Sequence, residues 1–187
     1  MSILIVDDEE HRVHRLIRML RAADLGMPIE YVSSSEDVVE LMDSLATETR
    51  KPCRALITDH NMDGLTGKQL LQVVTGRLEH IAAPADLHAI VRWDEVADRA
   101  LREHLEANFQ SLEHYRVFCA RHTALVKVLY SSEPWGDGIN DLPGDIPFVL
   151  KVDGSEPSVI ELLHDEGIVD DEAWSRAMRR FGRSKRR

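Results

Sequence analysis

The chain has 187 residues, of which 43% are hydrophobic and 30% charged, a composition that excludes an intrinsically disordered protein. It contains no apolar run near the roughly 20 residues of a membrane-spanning helix, and its first ten residues lack the basic start of a secretory signal. Two cysteines, Cys53 and Cys119, support neither a disulfide framework nor a structural zinc site. A reducing cytoplasm is therefore the expected location.

The net charge of −10 is distributed unevenly. Residues 176–187 carry seven basic groups and no acid, which leaves −17 for the first 175 residues. This acidic stretch of 175 residues would repel the phosphate groups of a nucleic acid, so nucleic-acid binding is expected only through the basic tail. The simplest interpretation of that tail is a solvated terminus, and no membrane partner is expected.

Short apolar segments alternate with helical patterns in the first part of the chain. Strands are predicted at 2–6, 29–32 and 55–58. Helices are predicted after each of them, through Val13 to Leu20, from about 38 to 45, and after Gly67. This alternation predicts an α/β fold with a doubly wound parallel sheet and right-handed crossovers.

The alternation pauses over residues 79–122, where leucines and aromatic residues among many charges predict helix. Strands return at 124–130 and 146–150, which brings the sheet to five. A helix capped by Ser155 and a further helix over 170–181 follow. The prolines and glycines of 134–147 argue against a long helix between the last two strands.

Polar and ionisable side chains follow four of the predicted strands. They are Asp7, Asp8, Asp59, Ser131 and Lys151. Because ligands of parallel α/β sheets bind beyond the carboxyl ends of the strands, we expect these side chains to converge. Crowded carboxylates repel one another, and oxygen ligands favour Mg²⁺ or Mn²⁺ over zinc as the relieving cation. The ammonium and hydroxyl donate to phosphoryl oxygens, so the set predicts a phosphoryl-transfer site.

Four segments of the chain, ILIVDDEE, LITDHNMDGLTG, VLYSSE and FVLK, contain these site residues, and Asp59 to Gly67 has the spacing D-x-x-M-x-x-x-x-G. In these segments the chain resembles the receiver domain of two-component response regulators. The resemblance covers 1–77 and 123–165 and implies a flavodoxin-like strand order of 2-1-3-4-5. It implies a receiver over 1–166, with a helical insertion at 79–122 between the third helix and the fourth strand. Residues 167–187 would then be a C-terminal helix and basic tail.

The resemblance also implies a role for each site residue. Asp59 would accept a phosphoryl group from a histidine kinase, a histidine phosphotransfer protein or a small acyl phosphate. Asp8, Asp59 and the backbone carbonyl of Asn61 would bind Mg²⁺, with Asp7 acting through a water or supporting Asp8. Lys151 would pair with Asp59 at rest and with a phosphoryl oxygen afterwards, while Ser131 would hydrogen-bond another phosphoryl oxygen.

Switching and signal lifetime are implied by further matched positions. Ser131 and Phe148 would form the switch, moving once the aspartate is phosphorylated. Asn61 and Glu133 would tune the attack of water, as in a regulator that dephosphorylates itself fairly quickly. Val152 stands where the family usually has a cis proline, which predicts a trans bond after Lys151. His60, beside the phosphoacceptor, is interpreted as a loop histidine facing water.

The expected protein is a stand-alone response regulator rather than an enzyme with a separate substrate. Residues 167–187 are too few to form an output domain, so its output is expected to be a protein–protein contact. One alternative is a phosphorylation-independent, receiver-like adaptor in which Asp59 is only a helix cap. A second is a nucleic-acid-associated regulator acting through the tail. The apolar face of the insertion would pack on its own receiver or form a homodimer.

Overall fold

The computed structural model describes residues 1–48, 53–76, 93, 96, 98–132 and 146–181. Within these residues the chain forms five strands and seven α-helices. The strands are β1 (Ile3–Val6), β2 (Ile29–Val32), β3 (Ala55–Thr58), β4 (Val126–Ser131) and β5 (Phe148–Leu150). The helices are α1 (Glu10–Ala23), α2 (Val38–Glu48), α3 (Gly67–Thr75), α4 (Arg99–Asn108), α5 (Leu112–Arg121), α6 (Glu156–Asp165) and α7 (Asp171–Phe181). A 3-10 turn at Ser35–Asp37 leads into α2.

The strands form one parallel sheet in the order β2-β1-β3-β4-β5. The predicted α/β class, strand number and strand order are therefore confirmed. The register pairs Val6 with Thr58 and Ser131 with Leu150, so the carboxyl ends of the central strands lie side by side. Every residue that directly follows these ends is placed at one edge of the sheet.

Alternate residues of the strands point to opposite faces of the sheet, and each face has its own apolar core. Leu4 and Leu56 belong to the core that also contains apolar residues of α2, α3, α4 and α5. Ile5 and Ile57 belong to the second core, with residues of α1, α6 and α7. Because both faces are covered, the central strands are continuous runs of buried residues.

Helices α4 and α5 lie within the segment predicted to be helical between the third helix and the fourth strand. Their apolar side chains Leu101, Leu105 and Tyr115 are buried in the first core of their own chain. The Tyr115 hydroxyl donates to the backbone carbonyl of Val73 in α3 at 2.8 Å. These side chains therefore pack on their own sheet, while the interpretation of 79–122 as an insertion into a receiver stays a prediction.

A shared side chain joins the starts of α3 and α4. Thr66 and Gln69 form a capping box at the start of α3, in which each side chain binds the backbone N–H of the other residue. The Gln69 amide also donates to Asp98 at 2.9 Å. Asp98 in turn caps α4 by accepting from the Leu101 N–H at 3.1 Å.

Ser155 precedes α6 as predicted, but its side chain does not cap that helix. Its hydroxyl instead accepts from the Val152 N–H at 3.2 Å and contacts the Tyr130 hydroxyl at 3.1 Å. The prediction of a side-chain cap was wrong because the hydroxyl is engaged with the preceding turn.

Helix α7 packs against α1 in the second core through Ala173 and Ala177. The guanidinium of Arg176 donates to the carbonyls of Ala23 and Asp24 at the end of α1, at 3.0 and 3.3 Å. Among the described residues, no helix combines the length and apolar character needed to cross a bilayer. Residues 133–145 and 182–187, which include Glu133 and most of the basic tail, lie outside the described residues.

Candidate functional site

The carboxyl edge of the sheet brings together four of the predicted charged groups. Asp7 and Asp8 follow β1, Asp59 follows β3 and Lys151 follows β5. Asp7, Asp59 and Lys151 have side chains that are 1%, 5% and 6% exposed, whereas Asp8 is exposed. The site thus consists of a buried charged cluster with one carboxylate at its surface.

The Lys151 ammonium lies between two buried carboxylates. Its Nζ donates to Asp7 Oδ2 at 2.5 Å and forms an ion pair with Asp59 Oδ1 at 2.9 Å. The sequence predicted the partnership with Asp59 but not the shorter one with Asp7. The peptide bond between Lys151 and Val152 is trans, as predicted from Val152.

Asp7 is fixed on both of its carboxylate oxygens. Oδ2 accepts from Lys151, and Oδ1 accepts from the Glu9 N–H at 2.9 Å. Burial is the main cause that raises the pKa of Asp7, and the neighbouring ammonium opposes this effect. The backbone carbonyl of Asp7 accepts from the Tyr31 hydroxyl at 2.6 Å, which ties β2 to the same corner.

The three aspartates have a geometry that suits a hard cation. One carboxylate oxygen from each of Asp7, Asp8 and Asp59 lies within 4.8 Å of the others. An all-oxygen set of carboxylates favours Mg²⁺ or Mn²⁺. Because both oxygens of Asp7 are engaged, Asp8 and Asp59 are the better direct ligands, and Asp7 is the better supporting group. Asn61 lies exposed in the loop after Asp59, where its carbonyl was predicted to be a ligand.

The loop that follows Asp59 is tightly held. The Thr58 hydroxyl donates to the carbonyl of Asp59 at 3.0 Å. A Cβ at Gly67 would lie 1.8 Å from that same carbonyl oxygen, so only glycine fits at the start of α3. The Ser35 hydroxyl donates to the Asp63 carbonyl at 3.1 Å and accepts from the Leu65 N–H at 2.8 Å.

Of the two predicted switch residues, Ser131 lies at the carboxyl edge of the sheet, whereas Phe148 lies at the start of β5. Ser131 is the last residue of β4, is fully buried, and accepts from the Lys151 N–H through its carbonyl at 2.7 Å. Phe148 is half-buried and packs against the first core. Their roles in switching, and the roles of Asn61 and Glu133 in dephosphorylation, stay predictions.

Sequence reasoning missed several residues around the site. His60 was expected to face water but is 7% exposed, and its backbone is held to the start of α3, since the His60 carbonyl accepts from the Gly67 N–H at 2.8 Å. The ring of Tyr130 has its centroid 5.5 Å from the Lys151 Nζ. The only sequence signal for Tyr130 was an aromatic residue placed next to Ser131 at the end of a largely apolar strand.

A cleft of about 500 Å³ adjoins the cluster between α1 and the turn before α6. Lys151, Arg12, Ser132 and Glu156 are among its lining residues. Arg12 donates to the Ser132 hydroxyl at 3.1 Å, and Arg15 forms an ion pair with the buried Glu156 at 3.5 Å. The cleft lies on the Lys151 side of the cluster, where the Lys151 side chain is itself 6% exposed.

The chain was compared with models of known protein families and with curated proteins, and neither comparison gives a match.

Proposed function

We propose that this protein is a phosphoacceptor regulator in which Asp59 accepts a phosphoryl group in a reaction that requires Mg²⁺. The observation that supports this most directly is the Lys151 ammonium held between the buried Asp7 and Asp59, with the exposed carboxylate of Asp8 beside them. A cation paired with the acceptor, next to a set of oxygen ligands, is the arrangement that phosphoryl transfer to a carboxylate requires.

In the proposed reaction an oxygen of the Asp59 carboxylate attacks the phosphorus of the donor. The bond from phosphorus to the donor breaks in line, and its electron pair leaves with a histidine imidazole or with the carboxylate of an acyl phosphate. Asp8 and Asp59 would hold Mg²⁺, which supplies charge neutralisation at the phosphoryl oxygens when bound. The product is an acyl phosphate on Asp59.

Lys151 has a second role after transfer. Its ammonium exchanges the Asp59 carboxylate for a phosphoryl oxygen, and the Ser131 hydroxyl binds another. The movement of Ser131 frees space for Phe148, and this change alters the surface around β4 and β5. Asn61 and Glu133 tune the attack of water that ends the signal.

The proposed partners are a histidine kinase or phosphotransfer protein upstream and a protein target downstream. In this proposal the regulator acts in the cytoplasm and signals by changing which protein surface it presents.

The test is phosphorylation of the full chain by acetyl phosphate with and without Mg²⁺, followed by intact mass. Wild-type protein should gain one phosphoryl group only with Mg²⁺, and Asp59→Asn should gain none. The matched control is Asp63→Asn, which removes an exposed acid from the same loop and should be labelled like wild type. A wild-type protein that gains nothing and binds no Mg²⁺ favours the phosphorylation-independent adaptor. Equal labelling of Asp59→Asn removes Asp59 from the mechanism.

A further inference from the structure

The turn after β5 holds the backbone of Lys151 on both sides. The Lys151 N–H donates to the Ser131 carbonyl at 2.7 Å. The next N–H, that of Val152, lies 3.1 Å from the Leu150 carbonyl and 3.2 Å from the Ser155 hydroxyl. The Ser155 N–H closes the turn on the Val152 carbonyl at 2.9 Å. The direction in which the lysine side chain leaves the sheet is therefore set by this turn.

Tyr130 contacts both the turn and the lysine head group. It is 2% exposed, and its hydroxyl shares a hydrogen bond of 3.1 Å with the Ser155 hydroxyl. Its ring centroid lies 5.5 Å from the Lys151 Nζ, a distance at which a cation is attracted to an aromatic face. Burial raises the pKa of Tyr130 to about 12, so the hydroxyl is protonated at neutral pH.

The hydroxyl of Ser155 does not make the hydrogen bond that a serine before a helix usually makes. A serine at this position ordinarily caps the helix that follows it. Here the hydroxyl binds Val152 and Tyr130 instead, and α6 begins without a side-chain cap. The hydroxyl therefore stabilises the turn that carries Lys151 rather than the start of the helix.

We propose that Tyr130 and Ser155 are positioning residues, which together hold the Lys151 ammonium between Asp7 and Asp59. A lysine side chain has four flexible bonds, and without support its head group would sample positions away from the carboxylates. The ring restrains the head group, and the paired hydroxyls restrain the turn. The inference rests on the proposed function for its effect on phosphorylation, but the positioning itself is measurable without it.

The first test measures how fast the Lys151 amine reacts with a pulse of acetic anhydride in the folded full-length protein, read by peptide mass. Wild-type Lys151, at 6% side-chain exposure, should react slowly. Tyr130→Phe and Ser155→Ala each remove one of the two paired hydroxyls and should raise the rate about fivefold, the equivalent of one net hydrogen bond. Tyr130→Leu also removes the ring and should raise it further, while Ser155→Thr keeps a hydroxyl and should restore the slow rate.

The matched control is Tyr115→Phe, which removes another buried tyrosine hydroxyl from a hydrogen bond of similar length on the opposite face. It should leave the reactivity of Lys151 unchanged. Equal acceleration in Tyr115→Phe and Tyr130→Phe would mean that general loosening exposes the lysine, and it would overturn the inference.

The second test is the rate of phosphorylation by acetyl phosphate with Mg²⁺. Tyr130→Phe and Ser155→Ala should be slower than wild type, and Ser155→Thr and Tyr115→Phe should not. If wild type is never labelled but the amine reactivities differ as expected, the proposed function fails and the positioning role stands. If wild type is labelled and every variant has the same lysine reactivity and labelling rate, the positioning role fails and the proposed function stands.

Discussion

At the carboxyl edge of the sheet this protein buries charges, whereas beneath α4 and α5 it buries aromatic rings. At the edge, Lys151 contacts Asp7 and Asp59, and all three side chains are at most 6% exposed. In the aromatic region, the Phe109 ring centroid lies 4.8 Å from that of Tyr115 and 5.2 Å from that of Phe118. Loss of one partner at the edge leaves a buried charge, but loss of one ring leaves a cavity. The two regions should therefore respond differently to substitution and to pH.

The largest effect is expected for Lys151→Ala. It leaves two buried carboxylates without their cation, so the free energy of unfolding at neutral pH should fall by about 3–5 kcal/mol. Without the ammonium the pKa of Asp7 rises further, so the loss should shrink as the pH falls and the carboxyl group becomes protonated. Urea unfolding at several pH values measures this.

The control for that prediction is Arg99→Ala, which breaks an exposed pair with Glu103. Its unfolding midpoint should match that of wild type at every pH. A similar loss in both variants, or a loss in Lys151→Ala that does not depend on pH, would contradict the buried-charge interpretation.

Phe118→Ala tests the aromatic region. The side chain is 1% exposed, and its removal should cost about 3–5 kcal/mol through lost burial and a cavity. The loss should be similar at pH 7 and pH 8, where the neighbouring His122, with its ring centroid 4.7 Å from that of Phe118, is neutral and no charge is uncovered. The variant, where folded, should still be phosphorylated by acetyl phosphate at the wild-type rate. Slower labelling of the folded variant would show that the two regions are coupled.

Gly67→Ala should have a smaller effect, confined to the edge. The new Cβ would meet the Asp59 carbonyl at 1.8 Å, so the loop must shift, at a cost of about 1–3 kcal/mol. The shift should also weaken Mg²⁺ binding, which titration calorimetry measures. Gly26→Ala is the control, because its Cβ meets nothing within 4 Å and any cost comes from its positive φ alone. Mg²⁺ binding that changes equally in both variants would contradict the role of Gly67.

The smallest effect at neutral pH is expected from His122, at the edge of the aromatic region. It is 2% exposed, and burial together with Arg121 lowers its pKa to about 4. The unfolded state therefore binds a proton between about pH 6.5 and 4 that the folded state does not bind. Stability should fall as the pH decreases through this window. His122→Gln should have a flatter pH profile, and the exposed His14→Gln should keep the wild-type slope.

Much of the sheet and its edge could be predicted from the sequence. When short apolar strands alternate with helices along the chain, only a few strand orders of a parallel sheet are possible. Polar residues that directly follow the strands must then lie at the carboxyl edge of that sheet. The convergence of Asp7, Asp59 and Lys151 follows from this topology. The D-x-x-M-x-x-x-x-G spacing also located the loop between Asp59 and Gly67. In the structure the start of α3 at Gly67 lies so close to the Asp59 backbone that a side chain would not fit.

The contacts that depend on side-chain direction could not be predicted. Ser155 has the usual identity for a helix cap, and only the fold of the turn reveals that its hydroxyl binds Val152 and Tyr130. His60 lies in the loop just after a strand, where a histidine is expected to face water, yet its side chain is buried. The packing of α4 and α5 was also ambiguous, because an apolar helix face fits its own sheet and a second chain equally well.

The link between Gln69 and Asp98 means that one amide group secures two helices. Its oxygen accepts from both the N–H and the hydroxyl of Thr66, and its nitrogen binds the residue that caps α4. An aliphatic residue at position 69 would remove the link between the two helix starts, although Thr66 and Asp98 would still cap their own helices. The half-buried Gln69 side chain thus connects the helix that follows the proposed reactive loop to α4, a helix that supplies no residue to the site.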